Sequence, residues 1–141
     1  LEQLLVQRGW TGAQLRENAV NQLEAKVVLN GQHELRFQIS TSFSKTILDE
    51  DVAKELGLQI EPTNIEVTGA KKQRLGMVAP ESLAFPETSL GPVTLFTADL
   101  SSIMGKSSMV ELPAGVIGSD LLTKYQAVLE IPTSKLYLRV R

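Results

Sequence analysis

Ser40, Thr41 and Ser42, with Ser44 close behind, form the densest group of hydroxyl side chains in a position to react, and His33 is the one histidine of the chain. A serine nucleophile needs a base within hydrogen-bonding reach and a third group to orient that base. His33 and Ser40 are joined by extended chain, which at ~3.3 Å per residue separates them by about 20 Å. Within one subunit His33 is therefore out of reach, and no Gly-x-Ser-x-Gly elbow occurs. The carboxylates close to these hydroxyls have simpler uses. Asp49 and Asp51 stand where a short helix begins, which suits capping, and Asp99 stands at a strand end, which suits a turn. With no cysteine, thiolate catalysis, disulfides and cysteine zinc sites are excluded, and a lone histidine argues against a protein-only zinc site. No metal and no cofactor are expected.

The elements that must position these residues read mainly as strands. Residues 23–29 and 33–39 alternate and are joined by Asn30-Gly31, the pair favoured where both central residues of a tight hairpin need positive φ. On this reading Ala25, Val27 and Leu29 share a face with Leu35, Phe37 and Ile39, while Glu24, Lys26, Glu34, Arg36 and Gln38 fill the other. The second strand runs straight into Ser40. Residues 45–48 look extended, and Asp49 is placed to cap a helix with an acidic first turn, Glu50-Asp51, that ends at Gly57. Further short strands are expected at 65–68, 75–78, 83–85 and 93–98, and Ser101 to Pro113 reads as a long surface loop. Val116-Ile117 reads as a buried strand, followed by Gly118 and by Ser119 or Asp120 as the cap of a helix that turns Leu121, Leu122 and Tyr125 inward. Residues 127–131 and 136–140, around a Pro132-Thr133-Ser134-Lys135 turn, make a terminal hairpin. Many short strands with one or two short helices indicate a closed or nearly closed β-barrel or sandwich.

Bulk properties narrow the function classes. At 141 residues, 43% hydrophobic and without a low-complexity tract, the chain fits one domain, with residues 1–20 as an N-terminal extension. A net charge of −2, from 14 basic and 16 acidic residues, leaves no basic stripe for nucleic acid. No apolar run approaches the ~20 residues of a membrane helix. The start, Leu1-Glu2-Gln3-Leu4-Leu5-Val6, lacks the order of a signal peptide. The compartment stays open, because a soluble extracytoplasmic domain whose signal or anchor had been removed would read the same way.

Three stretches carry a resemblance that covers nearly the whole chain. Leu29-Asn30-Gly31 into Phe37-Gln38-Ile39, then Thr46-Ile47-Leu48 and the helix from Val52 to Leu58, resembles the first half of a retropepsin-like domain. Gly115-Val116-Ile117-Gly118-Ser119-Asp120-Leu121-Leu122, with 127–131 and 135–138, resembles the second half. With Gly9-Trp10 and the strand and loop 96–101, the chain is similar to bacterial single-domain retropepsin-like aspartyl proteases. The resemblance implies a β-barrel with a flap hairpin. It places that flap at 67–76, with Gly69, Ala70, Lys71, Lys72, Gln73 and Arg74 as candidate substrate contacts. It makes Gly115, Val116, Ile117, Gly118 and Asp120 a structural motif, and it implies a homodimer in which each chain supplies half of a catalytic dyad.

Such a dyad works because two carboxylates share one proton and activate a water between them. The family loop reads Asp-Thr-Gly-Ala or close to it. Carried over by position, Ser40 replaces the aspartate, Thr41 keeps the threonine, Ser42 replaces the glycine and Phe43 replaces the small residue. A hydroxyl is too weak an acid to serve as the base, and Phe43 adds bulk where substrate needs room. The resemblance therefore implies a degenerate site and a protein that binds an extended peptide or oligomerises. The alternatives are an active peptidase using another acid and a purely structural dimer.

Overall fold

Local chain chemistry sets the first hairpin. In the computed structural model, which describes residues 2–18, 22–68, 72–86, 88–104 and 112–139, Asn30 and Gly31 both take positive φ, at 54° and 69°. Gln32 donates its N–H to the Leu29 carbonyl at 3.1 Å. The strands on either side, β2 (Leu23–Leu29) and β3 (His33–Ile39), pair antiparallel from Leu29 opposite His33 to Glu24 opposite Gln38. Ala25, Val27, Leu29 and Phe37 are buried, and Leu35 and Ile39 pack against them, as the alternation requires.

The remaining elements follow in order. Helix α1 (Glu2–Gln7) and strand β1 (Trp10–Glu17) precede the hairpin. After it come β4 (Ile47–Asp49), α2 (Glu50–Glu55), β5 (Glu61–Thr68), β6 (Lys72–Val78), β7 (Leu83–Phe85), β8 (Thr88–Ser89) and β9 (Leu95–Ala98). The chain closes with α3 (Leu100–Met104), β10 (Gly115–Ile117), α4 (Ser119–Lys124), β11 (Val128–Glu130) and β12 (Lys135–Arg139). The sheet order is β11-β12-β1-β2-β3-β10-β4-β9-β6-β5, with β7 and β8 branching from β2. The architecture is mainly β, and among the described residues the hydrogen-bonded path ends at β11 and β5 without closing on itself.

Two hydrophobic clusters divide the interior. The larger gathers Leu15, Val27, Leu29, Phe37, Leu48, Leu83, Leu95, Ile117 and Leu136. The smaller gathers Ile47, Leu75, Ala98, Leu100 and Val116, flanked by Phe43, Val67, Phe96, Ile103 and Met104. Strand alternation makes the division: in β4 Ile47 faces the small cluster and Leu48 the large one, and in β10 Val116 and Ile117 do the same. Each fully buried Leu, Val or Ile contributes about 1.5–3 kcal/mol of burial, so both sides of these two central strands are held firmly.

Several expectations need correction. The polar face of the first hairpin is partly covered, with Glu24 only 3% exposed and Gln38 only 9%. Glu24 is covered by Arg36, whose Nε lies 3.1 Å from its carboxylate, and by Asn18 Nδ2 at 3.2 Å. Arg36 in turn donates to the Leu112 carbonyl at 3.1 Å, so this polar row is a tie between strands. Residues 100–104 are helical, not loop, because Asp99 accepts the Ser101 N–H at 3.1 Å and the hydroxyls of Ser101 and Ser102 at 2.6 and 3.0 Å. The rest of that stretch, 105–111, lies outside the described residues. The α4 N-cap is Gly118, not Ser119 or Asp120, since the Asp120 carboxylate is used elsewhere. Asp49 occupies the α2 N-cap position without a side-chain capping bond; its Oδ1 accepts the Leu100 N–H at 3.1 Å. Trp10–Glu17, where the sequence signalled no strand, pairs with both β12 and β2.

Candidate functional site

Strand order creates the loop that carries Ser40. Strand β10 lies between β3, to which it runs parallel, and β4, to which it runs antiparallel. The chain leaving β3 must therefore cross the end of β10 to reach β4, and residues 40–46 make that crossing. Ser40 donates its N–H to the Ile117 carbonyl at 3.0 Å, and Phe43 accepts the Ser119 N–H at 2.8 Å. The crossing is so close that a Cβ on Gly118 would stand 2.5 Å from the Lys45 carbonyl oxygen and 2.6 Å from that of Phe43. Only glycine fits there.

A polar clamp locks the far end of the loop. Thr46, fully buried, donates its N–H to Asp120 Oδ2 at 3.0 Å and its hydroxyl to Oδ1 at 2.7 Å. The same hydroxyl accepts the Gly118 N–H at 3.1 Å. One carboxylate on α4 thus joins the end of β10 to the start of β4. The structural motif Gly115, Val116, Ile117, Gly118 and Asp120 is brought together here, the first three as β10, the last two as its junction with the loop. Asp120 acts as a fastener, as its hydrogen bonds to backbone and hydroxyl require.

Within the loop, the Ser40 and Ser42 hydroxyls lie 2.8 Å apart. Thr41 and Ser42 are exposed and Ser40 and Phe43 are half-buried. A pair of alkyl hydroxyls can donate and accept hydrogen bonds but cannot hold a negative charge near neutral pH. His33 sits beside the β2–β3 turn, at the other end of β3 from Ser40. Asp99 is engaged at the start of α3. The Asp49 carboxyl is held above the usual range, first by burial and then by the Asp51 and Asp99 charges, while the N–H groups of Leu100 and Val52 oppose that shift. Among the described residues, no group of three or more histidines and carboxylates is placed to hold a metal ion.

Beside the loop is an open cavity of about 270 Å³. Its wall is the 42–45 segment with Ile47 from β4, Val67 from β5 and Ile103 from α3. Lys45 reaches over the Phe96 ring, its Nζ 5.3 Å from the ring centre. The described part of the β5–β6 hairpin is its stem: Thr68 pairs with Lys72, Val67 with Gln73 and Glu66 with Arg74. Lys72, Gln73 and Arg74 thus lie on strand β6, while Gly69, Ala70 and Lys71 lie outside the described residues. Lys72 forms an ion pair with Glu66 at 3.1 Å. The Gln73 side chain accepts the Asp99 N–H at 2.9 Å and donates to its carbonyl at 3.3 Å, fastening β6 to the end of β9. Residue pattern alone does not single out Lys45, Ile47 or Ile103 as site residues, and Val67 falls at the start of the expected flap. Alternation could have flagged Ile47 and Val67, whereas Ile103 joins the wall only because 100–104 coil.

This architecture has known counterparts. The chain matches the aspartyl protease family over residues 25–121, and no curated protein matches it in sequence. A retropepsin-like aspartic protease from Rickettsia conorii superposes with a TM-score of 0.59 at 13% identity, over 92% of this chain and 88% of that one. The retroviral protease-like domain of Ddi1 from Leishmania major gives 0.55 at 11% identity, over 83% and 87%. The EIAV protease in complex with the inhibitor HBY-793 gives 0.57 at 15% identity, over 82% and 99%. The chain belongs to the retropepsin-like aspartyl protease family. At these identities the solved structures share its fold.

Proposed function

We propose that this chain is a retropepsin-like domain without peptidase chemistry, which holds an extended peptide between the 40–46 loop and the β5–β6 hairpin. The observation that carries the reading is Ser40, hydrogen-bonded to Ser42 where the family aspartate is expected. General acid–base participation is worth about 10² to 10⁴ in rate, and a serine hydroxyl cannot supply it at any pH where the fold persists. An active peptidase would need a substitute carboxylate. Asp120, the carboxylate hydrogen-bonded to the end of this loop, is committed to Thr46 through both oxygens, which favours the inactive reading. Peptide binding asks less of the site: a groove, an apolar cavity and a strand edge for main-chain hydrogen bonds. In this reading the β5–β6 hairpin serves as the flap. Thr41, exposed at the loop apex, is available for the cross-subunit contact that the family threonine makes in a homodimer.

The test compares the chain with the triple replacement Ser40→Asp, Ser42→Gly and Phe43→Ala in a peptide-cleavage assay at acidic pH, with light scattering on both. The natural sequence gives no turnover, and the triple variant, if paired, gives some. Turnover by the natural sequence that persists in Ser40→Ala would refute the proposal.

A further inference from the structure

We propose that Lys45 selects the peptide by charge: the occupant places an apolar side chain in the cavity beside the loop and an internal Asp or Glu side chain against the Lys45 ammonium. The inference rests on the peptide-binding reading above and adds the chemistry of the ligand. Three observations carry it.

First, the cavity wall is apolar where it is deepest in the fold. Phe43, Ile47, Val67 and Ile103 all belong to the smaller hydrophobic cluster, so the cavity favours an aliphatic or aromatic side chain. Second, Lys45 lines the cavity and, like Lys124 over Tyr125, lies against an aromatic ring, unlike three other lysines. Lys26, Lys54 and Lys72 each have a carboxylate within 3.5 Å. Lys45 has an aromatic face instead and no carboxylate partner among the described residues. A ring beneath the ammonium fixes its position without consuming its N–H donors. Third, β5 is eight residues long and, among the described residues, an edge strand bonded on one side only. A peptide continuing past the cavity has strand edge to follow, which suits an internal acidic side chain better than a chain end.

The selection mechanism is desolvation. A peptide that fills the cavity covers the half-buried Lys45 ammonium and strips it of water, which is unfavourable unless a negative group replaces the lost solvation. A Glu side chain supplies that group, and a Gln side chain of the same shape supplies only a dipole. The chain's net charge of −2 offers no long-range attraction for acidic peptides, so the preference must arise at contact.

The experiment uses the whole chain and an equimolar pool of hexapeptides with a central Leu or Phe. One third carry Glu beside it and are acetylated and amidated, one third carry Gln in the same capped form, and one third carry Gln with a free C-terminus. Retained peptides are separated by rapid gel filtration and counted by mass spectrometry. Capped Glu peptides are expected to be enriched over capped Gln peptides by about three- to five-fold, the worth of one partly exposed ion pair. The enrichment falls to parity in Lys45→Met, returns in Lys45→Arg, and shrinks at high salt. Equal retention of capped Glu and Gln peptides by the natural chain overturns the inference and leaves peptide binding standing. A Glu preference that survives Lys45→Met, or enrichment of the free C-terminus to the level of Glu, also overturns it. Retention of no peptide at all overturns both readings.

Discussion

Replacing Asp120 with alanine tests whether one carboxylate fixes the loop that carries Ser40. Its two oxygens accept from the Thr46 N–H at 3.0 Å and the Thr46 hydroxyl at 2.7 Å, and Thr46 is fully buried. The variant leaves both donors without that acceptor. Hydrogen bonds to a charged group are worth about 1.5–3 kcal/mol each, and stranded buried donors carry a desolvation cost of similar size. Because Asp120 is itself half-buried, water can reach part of the site and soften the loss. A net cost of about 3 kcal/mol is expected, or roughly 10 °C in melting temperature for a domain of this size. Urea denaturation followed by circular dichroism measures it, with an unchanged m-value showing that the denatured state is the same. Thr46→Val removes the shared hydroxyl, which also accepts from Gly118. The double variant should therefore cost less than the sum of the single ones, with a coupling of about 1–2 kcal/mol. A loss below about 0.5 kcal/mol in Asp120→Ala, or strict additivity with Thr46→Val, refutes the clamp.

Two further perturbations probe the same region. Asp49 titrates above its ordinary value because of burial and the neighbouring Asp51 and Asp99 charges. Its protonated form is therefore favoured by the fold, and its contribution to stability is fully present below the model-compound value of 3.8 and lost as pH rises through the folded-state value. Asp49→Asn keeps an acceptor for the Leu100 N–H and removes the charge, so melts from pH 3 to pH 7 should show the variant gaining on the natural chain as pH rises; a variant that loses ground instead refutes this assignment. Gly118→Ala drives a methyl to 2.5 Å from the Lys45 carbonyl oxygen and 2.6 Å from that of Phe43, both backbone atoms that yield only by moving the loop. A loss of at least ~2 kcal/mol is expected, and a melting temperature equal to that of the natural chain would show that the crossing is loose.

Much of the fold is legible in residue order because it is local. Asn30-Gly31 specifies its turn through backbone conformation, and the alternation in 23–29 and 33–39 specifies which side chains go inward. The spacing of Val52, Ala53 and Leu56 specifies a helix. The identity of residue 40 is likewise a property of the chain alone: it is a serine where the resemblance leads one to expect aspartate. Side-chain chemistry at one position needs no fold to be read.

Other features depend on contacts between distant residues, which no local pattern encodes. Alternation puts Glu24 and Arg36 on the face opposite the apolar one, but only the fold brings Asn18 and Leu112 onto the pair. Ser101–Met104 look like loop by composition, yet Asp99 caps them into a helix whose Ile103 walls the cavity. Lys45 gains significance only because β9 brings Phe96 beneath it and, among the described residues, no carboxylate stands beside it. Sequence fixes the donors, acceptors and apolar faces each segment can offer; the tertiary structure decides which are used up inside the domain and which remain for a partner.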